Sequence, residues 1–74
     1  MATIMITEFM EFEQVSEMSK VHNVIYEPEI YVNTAAIIEK ISGIDALIVR
    51  NKTKIDENIL SSAKNLKVIG ILGV

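Results

Sequence analysis

A chain of 74 residues is one domain at most, and a domain near 60 residues buries only about 60% of the surface its unfolded chain exposes. Half of the residues are hydrophobic and the formal net charge is −3, a balance that excludes a basic nucleic-acid footprint and adhesion to an anionic membrane. There is no cysteine for a disulfide or thiolate metal site, and no apolar run approaches the ~20 residues that span a bilayer. The run from Ala2 to Ile6 is short and is followed by Glu8 and Glu11, unlike a signal-peptide core, so a cytoplasmic protein is expected.

The first strand is predicted over Thr3–Thr7, and further strands over Asn23–Glu27, Ala46–Arg50 and Lys67–Leu72. Each is a short apolar run rich in Ile and Val, as in strands buried on both faces of a parallel sheet. Between the first two, Met10 to Val21 reads as a helix with Val15 and Met18 on one face, and Glu11 and Glu13 near the positive end of its dipole. Asn33 is the N-cap of a second helix, with Val32 and Ile37 as a hydrophobic staple. Its inner face is Ile37, Ile38 and Ile41, and Gly43 suits a left-handed C′ position. Asp56 caps a third helix running to about Asn65, with Ile55 and Leu60 as staple and Ile59, Leu60 and Ala63 toward the sheet. Strands alternating with helices imply a parallel α/β sheet with right-handed crossovers.

The strongest candidate for chemistry is Arg50-Asn51-Lys52-Thr53, directly after the third strand. Open α/β sheets bind ligands at the carboxyl ends of their strands, and an Arg presents a forked donor array to carboxylate or phosphate. The same residues also read as a solvated turn, with Thr53 and Asp56 ordering the loop. Glu8, Glu11 and Glu13 lack the spacing of a calcium loop and read as a solvated helix start. Tyr26, Pro28 and Tyr31 form a small aromatic corner, read as a loop anchor with an interface as the alternative. His22 has no carboxylate placed to orient it and reads as a surface residue. The Gly70 and Gly73 pair is no nucleotide fingerprint, which needs a glycine-rich strand-to-helix turn and an acidic residue about 20 positions on. Flavin binding is also disfavoured, because Glu8-Phe9-Met10-Glu11 is acidic and offers no Ser, Thr or Gly cluster for a phosphate.

Two segments carry a family resemblance. Leu47 to Ile55, LIVRNKTKI, and Gly70-Ile71-Leu72-Gly73-Val74 resemble the N-terminal part of the D-isomer-specific 2-hydroxyacid dehydrogenases. The opening Ile6-Thr7-Glu8-Phe9-Met10, with Ile25-Tyr26-Glu27-Pro28, is similar to members acting on small or sulfonated hydroxy acids. The resemblance implies a flavodoxin-like domain with sheet order 2-1-3-4, truncated here: residues 1–74 are a partial substrate-binding domain and the nucleotide-binding Rossmann domain is absent. It implies that Arg50 and Asn51, and more weakly Lys52, hold the acidic end of a 2-hydroxy or 2-oxo acid. Gly73 and Val74 occupy the first two places of the family's Gly-Val-Gly turn, whose N–H groups bind the substrate carboxylate. The final glycine is missing, Ile71 stands where many relatives carry Arg, and the residues alone read as a buried strand with a glycine bend.

The resemblance further implies NAD as the cofactor of the parent enzyme. None is expected to bind this chain alone, because the family's Rossmann domain, like its catalytic Arg, Glu and His, lies later in the chain. The expectation is therefore an N-terminal dehydrogenase piece, inactive by itself, either excised or the product of an interrupted gene. The alternative is a stand-alone α/β module that self-associates without catalysis. The fourth strand is apolar and unprotected by proline, so a homodimer or larger assembly is expected.

Overall fold

A computed structural model of the chain describes residues 2–72. Four strands, β1 (Thr3–Ile6), β2 (Asn23–Tyr26), β3 (Ala46–Val49) and β4 (Val68–Ile71), alternate with three helices, α1 (Phe12–Ser19), α2 (Thr34–Ile41) and α3 (Glu57–Ser62). A single 3-10 turn, Ile30–Val32, leads into α2. All strand pairs are parallel, in the order β2-β1-β3-β4. This is the expected flavodoxin-like arrangement. No described helix is long and apolar enough to cross a membrane.

The registers explain why the strands are apolar on both faces. Ile25, Met5, Leu47 and Ile69 form one row across the sheet. That row packs with Ile37 and Ile41 of α2 and Ile59 of α3. The next row, Tyr26, Ile6, Ile48 and Gly70, faces the other way. There Ile4, Ile6 and Met10 form a second cluster with Val15 and Met18 of α1. One helix thus covers one face and two cover the other, and the period of two along each strand feeds both cores.

Both predicted N-caps form. Asn33 Oδ1 accepts from Ala36 N at 3.2 Å, and Asp56 Oδ1 accepts from Ile59 N at 3.0 Å. Several local expectations are corrected. α1 begins at Phe12 rather than Met10, and Met10 is buried in the second cluster. α3 ends at Ser62, short of Asn65. Neither staple closes: Val32 is 77% exposed and Leu60 51% exposed, so Leu60 does not face the sheet. Gly43 is not left-handed, since no described residue has a positive φ. The chain leaves α2 through Ser42 in a right-handed conformation instead.

The amino ends of the strands are tied by backbone and side-chain bonds. Asp45 Oδ2 accepts from Thr3 N at 2.8 Å and its Oδ1 from Lys67 Nζ at 3.1 Å. These partners, the Thr3 N–H first and the Lys67 ammonium second, hold the Asp45 carboxyl below its ordinary value of 3.8. His22 sits at this edge too, partly buried, with its Nδ1 accepting from Ala2 N at 3.1 Å.

The two cores make a clear prediction. Leu47 is fully buried at the centre of the larger cluster, so Leu47→Ala should lower the unfolding free energy in urea by about 2–5 kcal/mol. Leu60→Ala should change it by no more than about 0.5 kcal/mol. Equal losses in the two variants would contradict this packing.

Candidate anion-binding site at the carboxyl edge of the sheet

The chain leaves β1 by way of α1 to reach β2 on one side, then returns past β1 to β3 on the other. The connections diverge at β1 and β3, and a crevice opens beyond the carboxyl ends of strands at such a switch point. A cleft of about 410 Å³ lies there, lined from three loops by Glu8 and Phe9 after β1, Pro28, Glu29 and Tyr31 after β2, and Arg50, Asn51 and Lys52 after β3.

Glu8 organises the cleft floor. It is only 3% exposed, and a buried carboxylate is tolerated only when its oxygens are paired. Oε2 accepts from Arg50 N at 2.9 Å, Thr53 N at 2.7 Å and Thr53 Oγ1 at 2.6 Å. Lys52 N donates to Oε1 at 3.0 Å and to Oε2 at 3.2 Å. Burial on its own raises the Glu8 carboxyl. The Thr53 hydroxyl and the N–H groups of Arg50, Thr53 and Lys52 outweigh it and hold the carboxyl below the ordinary 4.5.

A buried hydroxyl beneath Thr53 completes the network. Thr7, fully buried, has its Oγ1 2.8 Å from Thr53 Oγ1. A carboxylate only accepts, so the single Thr53 hydroxyl proton is committed to Glu8. The Thr7 hydroxyl must then donate to Thr53. No described buried side-chain polar atom lacks a partner.

The expected site residues fall as follows. Arg50, Asn51 and Lys52 are brought together and exposed along the cleft. Arg50 Nη1 makes one long bond to the Phe9 carbonyl at 3.4 Å, leaving most of its donor fork unused by the described protein atoms. Lys52 Nζ lies 5.3 Å from the centroid of the Tyr31 ring, within cation–π range. Gly73 and Val74 lie outside the described residues. His22 is at the opposite edge of the sheet and takes no part.

Five lining residues, Glu8, Phe9, Pro28, Glu29 and Tyr31, were not among the site residues expected from the sequence. Glu8 is buried and bonded, not the solvated helix start expected of it, and Phe9 and Tyr31 wall the cleft. The available signal for Glu8 was its position: like Arg50, it follows an apolar strand at the carboxyl edge. Tyr26 behaves as the expected loop anchor, its hydroxyl donating to Met10 O at 3.2 Å and accepting from Met10 N at 3.1 Å. Among the described residues, no cluster of three or more His, Cys, Asp or Glu suits a metal ion.

What the cleft offers is a pair of cationic side chains with an amide between them. That set suits a small anion, with Arg able to bind a carboxylate or sulfonate in two-point fashion.

Comparison with known proteins identifies the family. Residues 4–74 match the family model described as D-isomer specific 2-hydroxyacid dehydrogenase, catalytic domain. The chain is 31% identical over all 74 residues to (S)-sulfolactate dehydrogenase of Chromohalobacter salexigens, covering 24% of that relative. It is 42% identical over 38 residues to D-3-phosphoglycerate dehydrogenase of Archaeoglobus fulgidus, covering 51% of this chain and 7% of that relative. The solved PH0520 protein of Pyrococcus horikoshii OT3 superposes with a TM-score of 0.86 at 25% identity, over 96% of this chain and 21% of the other. The chain therefore spans about a quarter of the (S)-sulfolactate dehydrogenase it matches along its whole length.

The buried Glu8 has a pH signature. Its carboxyl is lowered in the folded state, so its stabilisation is complete above the unfolded value near 4.5 and is lost as pH falls through the folded value. At pH 7, Glu8→Gln should destabilise the chain by about 1.5–3 kcal/mol, as expected for hydrogen bonds to a charged group. The gap between wild type and variant should narrow as pH falls below the unfolded value near 4.5 and close below the lower folded value. A gap independent of pH would show that Glu8 is not ionised in the fold. Asp45 is shifted in the same direction, but it is common to both proteins and cancels in the difference.

Proposed function

The chain belongs to the D-isomer specific 2-hydroxyacid dehydrogenase family, and on that premise we propose that it supplies the acid-gripping part of an NAD-dependent oxidoreductase. The reaction moves hydride between the CH–OH carbon of a 2-hydroxy acid and a nicotinamide. Arg50 and Asn51, assisted by Lys52, hold the acid group of the substrate. Gly73 and Val74 add backbone donors to the same group. The observation that carries the reading is the cleft itself, where Arg50, Asn51 and Lys52 converge at the sheet's switch point.

The residues present support a division of labour. The cleft lining contains no histidine, and the one histidine of the chain lies at the far edge of the sheet. On this reading, proton transfer and dinucleotide binding fall to other parts of the enzyme, and the 74-residue chain alone is inactive. Alone, it also associates. β4 is an edge strand among the described residues, with Val68 58% and Ile71 72% exposed. Such an edge recruits a further strand, here from a second copy.

The test uses residues 1–74 fused in place of the matching segment of the Chromohalobacter relative. Arg50→Ala should raise the KM for the hydroxy acid roughly tenfold to a hundredfold, the loss expected of a charge-assisted hydrogen bond. His22→Ala should leave kcat and KM unchanged. An unaltered KM in the Arg50 variant would remove the site assignment. Sedimentation of the 74-residue chain should show a dimer or larger, and a monomer at micromolar concentration would contradict the edge-pairing.

A further inference from the structure

Resting on the anion-grip reading above, we infer that Glu8 is a positioning residue for substrate: it holds the Arg50–Thr53 loop in the shape that aims the Arg50 and Lys52 side chains into the cleft. Three backbone N–H groups within four consecutive residues point at one carboxylate. A run of N–H groups of this kind is an anion-binding concavity. In this protein its occupant is internal, so the N–H groups of Arg50, Lys52 and Thr53 are spent on Glu8, and what this loop offers an external anion is chiefly its side chains. The grip is made by Arg50, Asn51 and Lys52 from the outer side of a loop whose inner side is already closed.

Geometry favours positioning over mere stability. Glu8 leaves the carboxyl end of β1 and Arg50 that of the adjacent β3, two residues beyond the register pair Ile6 and Ile48. The carboxylate therefore fastens the loop after β3 to the exit of the neighbouring strand β1 rather than to its own strand. Thr7 and Thr53 repeat the same crossing one layer deeper. Ordering the loop in advance removes an entropic loss that an incoming ligand would otherwise bear. Against this stands the negative charge of Glu8 at the cleft floor, with Glu29 also lining the wall. The oxygens of Glu8 are occupied by donors from the loop, and Arg50 and Lys52 stand on the same cleft. Positioning is therefore expected to outweigh repulsion.

The test is a nitrogen-15 NMR titration of the 74-residue chain with sulfoacetate, a small carboxylate–sulfonate probe. In the wild type the probe should shift Arg50, Asn51 and Lys52 saturably. Glu8→Gln should move the amide protons of Arg50, Lys52 and Thr53 upfield, leave those of Ile4, Leu47 and Ile59 in place, and weaken binding about tenfold. Thr53→Val should act in the same direction and Thr53→Ser should restore the wild-type affinity, a rescue that a general loss of stability would not produce. If Glu8→Gln does not fold, the Thr53 pair decides by the same criterion. Unchanged or tighter binding in Glu8→Gln and Thr53→Val, with Arg50→Ala weakened, would overturn the positioning role alone. Wild-type binding that is absent, or unaffected by Arg50→Ala, would instead overturn the anion-grip reading and this inference with it.

Discussion

The carboxylate of Glu8 fastens the exits of two adjacent strands to each other. Removing an ionised carboxylate from water carries a penalty of several kcal/mol unless its oxygens are satisfied. Four donors from a single loop satisfy them here. The balance falls toward the charged form, because each donor is fixed by a loop that the same carboxylate shapes. Charge, loop conformation and hydroxyl orientation are mutually dependent: the Thr53 proton is committed to Glu8, which in turn commits Thr7 to donate to Thr53. The outward-facing Arg50 and Lys52 side chains inherit their placement from this arrangement.

The two edges of the sheet have different chemistry. At the amino edge, Asp45, Lys67, Thr3 and His22 bond among backbone groups and one another. At the carboxyl edge the loops diverge about β1, and the polar side chains there face a cleft. Parallel topology creates this asymmetry, since only the carboxyl ends open where connections leave in opposite directions. The placement of the second and third strands on opposite sides of the first opens this crevice.

Much of this was legible in the sequence, and the rest failed for definable reasons. The apolar runs at Thr3, Asn23, Ala46 and Lys67 marked all four strands, because burial on both faces leaves little room for polar residues. Asn33 and Asp56 were legible as caps because a cap acts within three residues of itself. Staples were not, since Val32 and Leu60 have the right spacing yet both remain exposed. Gly43 has the composition of a left-handed cap, yet the turn after α2 does not require one. Arg50, Asn51 and Lys52 were found through their place after a strand and their resemblance to a known segment. Glu8 was misjudged because its partners lie 42 to 45 residues away, and an acidic stretch looks solvated until the neighbouring strand is known.

Amide hydrogen exchange at the loop after β3 tests the central claim most directly. The N–H groups of Arg50, Lys52 and Thr53 lie near the surface, but each donates to a buried carboxylate. The account predicts that all three exchange slowly, with protection comparable to that of Leu47 and Val49 in β3. Exchange at the rate of an unprotected chain in these three amides, while β3 itself remains protected, would contradict it.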